Sequence, residues 1–194
     1  MSFNVPGLEG ATPAELAQIA AEALAKLKPG MQPPALFKEM ARLTMLSIVE
    51  VVPLRVTSGK TEILIAERAQ TEEWWPNTRS LPGSVQFPPG RTDYTTNSDY
   101  REPVDGVLYD DFGRSVERTD ENVQIFDVRQ RTGVRGSEQV VLAWTKVDTT
   151  TPFAKPIGGE FFDASALIAR PDDFQLVDGH AEEIAKALAN FRQY

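Results

Sequence analysis

The chain has 194 residues, 41% of them hydrophobic and 25% charged, which suits one domain with an elaborated terminus or at most two small domains. Its net charge of −8, with no basic block, argues against a protein that binds duplex nucleic acid by neutralising phosphates. A small phosphorylated ligand held by a few local cations remains compatible with this charge. There is no cysteine and only one histidine, which excludes disulfides, cysteine nucleophiles and multi-histidine metal sites. No apolar run approaches the length of a membrane span, so we expect a cytoplasmic protein without a membrane partner.

The N-terminal part of the chain has a helical pattern. Thr12, Pro13 and Glu15 form a helix-start signal, and Pro29 with Gly30 provides a stop signal. A second short helix is expected to begin behind a pair of prolines at 33–34. We therefore predict an N-terminal helical extension over residues 1–45, which could support a homodimer, followed by a second domain over residues 46–194.

From residue 47 the pattern changes to strands. Residues 47–56 and 61–69 are rich in β-branched side chains and predict a hairpin, and residues 122–148 predict a second hairpin with its turn at 133–136. A strand leading into a helical turn is expected at 158–168, and an amphipathic helix closes the chain. Strands mixed with a few helices indicate the α+β class with a mixed sheet.

A long polar loop rich in proline and glycine separates the two hairpins. Such loops are usually functional or disordered. Trp74 and Trp75 could stack against a flat ligand, although packing beneath the loop is the plainer alternative. Arg68 and Arg79 could grip phosphate oxygens, or they could be solvated or paired with acidic residues.

A short helix predicted over residues 103–113 carries two acids at its end. Val104, Val107, Leu108 and Phe112 fall on one face. Asp110 and Asp111 occupy the last turn, where the helix dipole and their mutual repulsion are unfavourable. A divalent cation would offset this charge; alternatively, both carboxylates are solvated near an arginine.

The order of two strands, a tryptophan, an LPG turn, a loop and a short acidic helix resembles the Nudix hydrolases. Leu81, Pro82 and Gly83 match the family's LPG turn. The end of its conserved box, R-E-U-x-E-E-x-G with U a bulky aliphatic residue, aligns without a gap on residues 106–113. The resemblance implies an α/β/α sandwich, with Asp110 and Asp111 at the positions of the glutamate pair that ligates the metal.

The match to the Nudix box is incomplete. Gly106 and Val107 stand where the family has an Arg-Glu pair, whose Glu is a principal metal ligand. The loop before the helix is also longer than in the family. Any catalysis would therefore draw on Asp110 and Asp111, with Glu102, Asp105 or Glu160 as a further candidate.

Two functions follow from this resemblance. The first is a Nudix-like hydrolase that cleaves a nucleoside diphosphate-linked substrate, or a related pyrophosphate, with Mg²⁺ or Mn²⁺. The alternative is a Nudix-like binding or scaffold domain without catalysis. In both cases a small phosphorylated ligand is the expected partner, and its candidate contacts are Arg68, Trp74, Trp75, Arg79 and Gly83.

Three further residues are expected to have plain structural roles. His180 opens the last helix and is expected to contribute to packing. Arg129 and Arg131 alternate onto one face of their strand, which could face a phosphate or a dimer partner but is more simply a solvated strand.

Overall fold

A computed structural model describes residues 10–26, 35–36, 39–40, 45–72, 74–85, 100–112, 118–119, 123–133, 136–147 and 159–191. The chain divides into two units, residues 1–32 and residues 33–194.

The first unit contains helix α1, Pro13–Leu24. Its start follows the predicted signal, because the Thr12 hydroxyl accepts a hydrogen bond from the Glu15 amide and the Glu15 carboxylate accepts one from the Thr12 amide. The helix ends at Leu24, before the predicted Pro29–Gly30 stop, which lies outside the described residues. No residue of α1 is buried, and the predicted homodimer stays a prediction.

The second unit is built on a sheet of seven strands within the described residues. The strands are β1 Leu46–Thr57, β2 Lys60–Glu67, β3 Arg79–Ser80, β4 Gly83–Val85, β5 Gln124–Gly133, β6 Gly136–Lys146 and β7 Gly159–Asp163. The second helix is predicted over residues 33–46. Residues 35–36 and 39–40 are helical, residues 33–34, 37–38 and 41–44 lie outside the described part, and Leu46 already belongs to β1.

Both predicted hairpins are present. β1 and β2 pair antiparallel across a turn at Ser58 and Gly59, both of which have positive φ, as a tight hairpin turn requires. β5 and β6 pair antiparallel up to Gly133 and Gly136. β1 and β6 run parallel at the centre, so the sheet is mixed, with the order β3-β2-β1-β6-β5. β4 pairs with β1, and β7 pairs with β2.

Helices cover both faces of this sheet. Helix α2, Arg101–Phe112, packs on one face through the four apolar residues predicted from its spacing. Helix α3, Ala164–Ala169, and helix α4, His180–Phe191, pack on the other face around Trp144 and Ile184. The predicted α/β/α sandwich is therefore confirmed. No helix in the described part of the chain is long and apolar enough to span a membrane.

Candidate ligand-binding site

A cavity of about 340 Å³ lies on the α4 side of the sheet, next to the LPG turn. Its volume is at the lower end of the range for small-molecule pockets. The walls combine an aromatic ring, two guanidinium groups, two buried carboxylates and the only histidine; these side chains belong to Trp75, Arg68, Arg131, Glu50, Glu138 and His180.

The Trp75 wall is held in place by Glu72. One carboxylate oxygen of Glu72 accepts hydrogen bonds from the amides of Trp74 and Trp75, at 3.0 and 2.7 Å. The other accepts a bond of 2.6 Å from Arg68, whose guanidinium lies 5.2 Å from the centre of the Trp75 ring. Burial alone would raise the pKa of Glu72, but the bonds from Arg68 and the two amides keep that pKa below its ordinary value. Glu72 is therefore ionised, and as an anion it holds both Arg68 and the backbone of Trp75 in place.

His180 lies at the inner end of the cavity in one defined tautomer. Its Nδ1 accepts a hydrogen bond of 3.1 Å from the backbone amide of Leu81. Because an amide can only donate, the proton of the neutral ring must be on Nε2. Burial lowers the pKa of His180 to about 4, so the ring is neutral at pH 7.

In the cavity wall, Arg131 joins three acidic side chains. It contacts Glu50 at 2.6 Å, Glu138 at 2.6 Å and Glu183 at 3.3 Å, and all three acids are buried. Arg129 also binds Glu183. The expectation that Arg129 and Arg131 line a solvated strand is therefore wrong. Alternation does put them on one face, but that face is covered by the first turn of α4, which supplies Glu183.

Glu50, His180 and Glu183 lie close enough together to suggest a metal site, because their ligand atoms are all within 4.8 Å of one another. The tautomer of His180 argues against it. Nδ1 is occupied by the Leu81 amide, and the protonated Nε2 has no lone pair to offer. The donor set therefore does not fit a histidine-bound ion.

The end of α2 reaches the same region from the opposite face. Asp111 accepts a hydrogen bond of 3.3 Å from the amide of Gly83, and Gly83 also lines the cavity. Burial raises the pKa of Asp111 to about 6, and the neighbouring charge of Asp110 adds to the increase. The Gly83 amide and the charge of Arg68 act in the opposite sense.

The other residues of the incomplete box add no further metal ligand next to Asp110 and Asp111 among the described residues. Val107, which stands where the resemblance places a metal-binding glutamate, is 1% exposed and packs in the core beneath α2. Asp110 is exposed. Among the described residues, no group of three potential metal ligands includes Asp110 or Asp111. The two carboxylates fit only an ion that is completed by water and ligand phosphates, which is a common arrangement for Mg²⁺.

The structure brings some of the predicted site residues together and separates others. Arg68, Trp75 and Gly83 line the cavity, whereas Trp74 is not among the described lining residues. Arg79 bonds to Glu67 and to the carbonyl of Phe174 outside the cavity.

Glu160 lies apart from the two aspartates. It is exposed on β7 opposite Ile65, whose side chain belongs to the core on the α4 face. Strand alternation therefore directs Glu160 away from the α2 face, on which Asp110 and Asp111 reside.

Sequence reasoning missed Glu50, Glu138 and the chemical position of His180. One signal was present: Glu50 is the only charged residue in the run 46–54, which is otherwise apolar apart from Ser47. A charge at a fully buried strand position is rare unless it is paired. Its partner could not be identified, because Arg131 lies 81 positions further along the chain.

Comparison with solved structures identifies the fold. Nudix structures are among the matches, and the chain has their fold. The predicted resemblance is therefore confirmed at the level of the fold. No family model and no curated protein sequence matches the chain.

Three of the matching structures show how far the likeness extends. The Nudix domain of Shewanella oneidensis NrtR, complexed with ADP ribose, has a TM-score of 0.54 and 15% identity, and covers 88% of this chain and 97% of its own. C. elegans Ap4A hydrolase has a TM-score of 0.51 and 10% identity, with coverages of 76% and 99%. A MutT/Nudix family protein from Enterococcus faecalis has a TM-score of 0.52 and 15% identity, with coverages of 99% and 76%.

Proposed function

We propose that this chain is a Nudix-fold domain that binds a small phosphorylated ligand of the nucleotide type, and that it binds this ligand without efficient hydrolysis. The cavity beside the LPG turn carries the proposal. It combines a flat aromatic wall, a guanidinium group and a polar inner end in a volume suited to a nucleoside-sized ligand. One of the structural neighbours is a complex with ADP ribose, which has this chemistry.

Within the cavity, the two arginines differ in availability. Contacts with Glu50, Glu138 and Glu183 engage every nitrogen of Arg131. Arg68 binds Glu72 through Nη2, and its Nη1 makes only a long hydrogen bond of 3.4 Å to the Ser80 hydroxyl, so Nη1 can still donate to a ligand. Arg68 is therefore the proposed contact for ligand phosphate, and Trp75 is the proposed stacking surface for the base.

Val107 supports binding rather than hydrolysis. A buried valine cannot ligate a cation, and placing a glutamate there would bury a charge in the apolar core.

Metal-dependent hydrolysis of a pyrophosphate is the second candidate function. It is favoured by the hydrogen bond from the Gly83 amide to Asp111, which joins the acidic helix end to the LPG turn. Asp110 and Asp111 would hold Mg²⁺ or Mn²⁺, which would supply charge neutralisation at the phosphates. Glu160 is not included in this catalytic set, because it lies on the other face of the sheet.

The cytoplasmic location also stays a prediction.

A matched pair of tryptophan variants tests the binding site. Trp75→Ala should weaken nucleotide binding by about 1–3 kcal/mol, roughly 5- to 150-fold in Kd, because it removes a stacking surface. Trp74→Ala is the control, since Trp74 is adjacent but outside the described lining. Isothermal titration calorimetry with ADP-ribose and nucleoside mono- and diphosphates measures both, after circular dichroism has verified folding. Equal losses in the two variants, or no binding across the panel by the wild type, would refute the assignment.

A further inference from the structure

The inner end of the cavity presents a hydrogen-bond donor beside an acceptor. His180 Nε2, which carries the ring proton, lies 4.0 Å from Glu50 Oε2 and 3.8 Å from Glu183 Oε2. Both distances exceed a direct hydrogen bond, so the Nε2–H group has no hydrogen-bond partner among the described residues. The His180 side chain is only 5% exposed and lines the cavity. A buried donor of this kind calls for an acceptor on a ligand or a water molecule.

The neighbouring acceptor is Glu50. Its Oε1 takes a bond of 2.6 Å from Arg131, whereas Oε2 receives only a long contact of 3.3 Å from the same guanidinium. A carboxylate oxygen can accept more than one hydrogen bond, so Oε2 retains acceptor capacity towards the cavity. The spacing of 4.0 Å between Nε2 and Oε2 suits two side-by-side hydrogen bonds to adjacent atoms of one planar ligand.

The local charge also selects the kind of group that can enter. Within the described residues, three acids (Glu50, Glu138 and Glu183) face two arginines (Arg129 and Arg131) in this cluster. Glu183 Oε2 is buried without a hydrogen-bond partner. This excess of acceptors disfavours a phosphate at the inner end and favours a group that donates hydrogen bonds. A phosphate would therefore lie towards Arg68 instead.

We propose that His180 and Glu50 read the edge of a base that carries an amino group next to an unprotonated ring nitrogen, as in adenine or cytosine. Glu50 Oε2 accepts from the amino group, and His180 Nε2–H donates to the ring nitrogen. Hypoxanthine and uracil present the reverse order, a carbonyl next to an N–H, and would oppose acceptor to acceptor and donor to donor. The inference rests on the proposed nucleotide-binding function and assigns the class of base.

Matched nucleotide pairs test this inference. AMP is compared with IMP, and CMP with UMP, by isothermal titration calorimetry on the full chain at pH 7.5. The members of each pair share the phosphate and the sugar and differ only at the edge that is read. We expect the amino member of at least one pair to bind about tenfold more tightly or better, because the wrong edge leaves buried polar groups unpaired. The pair that shows the difference identifies adenine or cytosine.

Variants assign the effect to the two residues. His180→Ala should reduce the preference to within about threefold, which is roughly 0.6 kcal/mol. Glu50→Gln keeps the size of the side chain and replaces the carboxylate with an amide. It should also reduce the preference for the amino base, and it provides the test if His180→Ala does not fold. Asp172→Asn, an exposed change outside the cavity, is the control and should keep the preference.

The outcomes separate the two proposals. Equal binding of both members in both pairs would overturn the base assignment and leave nucleotide binding intact. A preference that survives in both His180→Ala and Glu50→Gln would also overturn it. Absence of binding by every nucleotide would refute the proposed function, and the base assignment with it.

Discussion

At the scale of single residues, Asp111 and His180 respond to burial with opposite signs. Burial raises the pKa of Asp111 from 3.8 to about 6 and lowers that of His180 from 6.5 to about 4. Between about pH 4 and 6 the folded state binds the extra proton at Asp111, whereas the unfolded state binds it at His180. Over this pH range, Asp111 makes the free energy of unfolding fall as the pH rises, whereas His180 makes it rise. The two effects offset each other.

Replacing Asp111 removes one of these effects. Asp111→Asn should raise the free energy of unfolding at pH 7.5 by about 1–3 kcal/mol, because the cost of a half-buried charge is lost. The gain should vanish near pH 4, where the native carboxyl is already neutral. Urea unfolding from pH 4 to 7.5, with EDTA present, measures the difference. A gain that is independent of pH, or a loss at pH 7.5, would contradict the raised pKa.

A second readout separates structure from metal binding. If Asp111 holds a cation as the hydrolase candidate requires, Mn²⁺ should stabilise the wild type and leave Asp111→Asn unchanged, through preferential binding to the folded state. Binding without hydrolysis predicts little effect of Mn²⁺ on either protein in the absence of a nucleotide.

At the scale of elements, the contact between β7 and α2 is unusually close. A Cβ built on Gly159 would lie 2.2 Å from the ring of Phe112 and 3.2 Å from the carbonyl oxygen of Ile65. Phe112 is 1% exposed, so its ring has little room to move. The glycine therefore permits the helix that bears Asp110 and Asp111 to pack against the sheet.

Two glycine substitutions test this contact. Gly159→Ala should lower the free energy of unfolding by about 1–3 kcal/mol through overpacking. Gly106→Ala, within α2 and with no heavy atom within 4 Å of the new Cβ, should instead raise it by about 0.5–1 kcal/mol through helix propensity. Chemical denaturation of both variants provides the measurement. Similar effects of the two changes would show that β7 does not pack as described.

The elements were largely predictable from the sequence, because their signals are local. The hairpin at residues 46–67 is specified by β-branched runs and a Ser-Gly turn, and the buried face of α2 follows from its apolar spacing. The site was predictable only in part. Trp75 and Gly83 lie in the polar loop between the two hairpins, for which the sequence predicted a function. The bond between Leu81 and His180, in contrast, joins residues 99 positions apart. No local pattern encodes such a pairing.

At the scale of the whole molecule, the sheet separates two chemical regions that meet at the LPG turn. The end of α2, with Asp110 and Asp111, lies on one face of the sheet, and the cavity lies on the α4 face. Gly83 belongs to both, since its amide binds Asp111 and it lines the cavity. A cavity of ligand size therefore lies next to two aspartates that have no third metal ligand among the described residues, which is the basis for proposing binding without hydrolysis.

One measurement tests this central claim directly: ³¹P nuclear magnetic resonance of ADP-ribose with an equal concentration of the protein and excess Mg²⁺. We predict that the diphosphate resonances shift or broaden on binding and that no monophosphate resonance develops over many hours. A monophosphate resonance that grows with time and is lost in Asp111→Asn would establish the hydrolase instead. Unchanged diphosphate resonances would contradict binding of this ligand at the cavity.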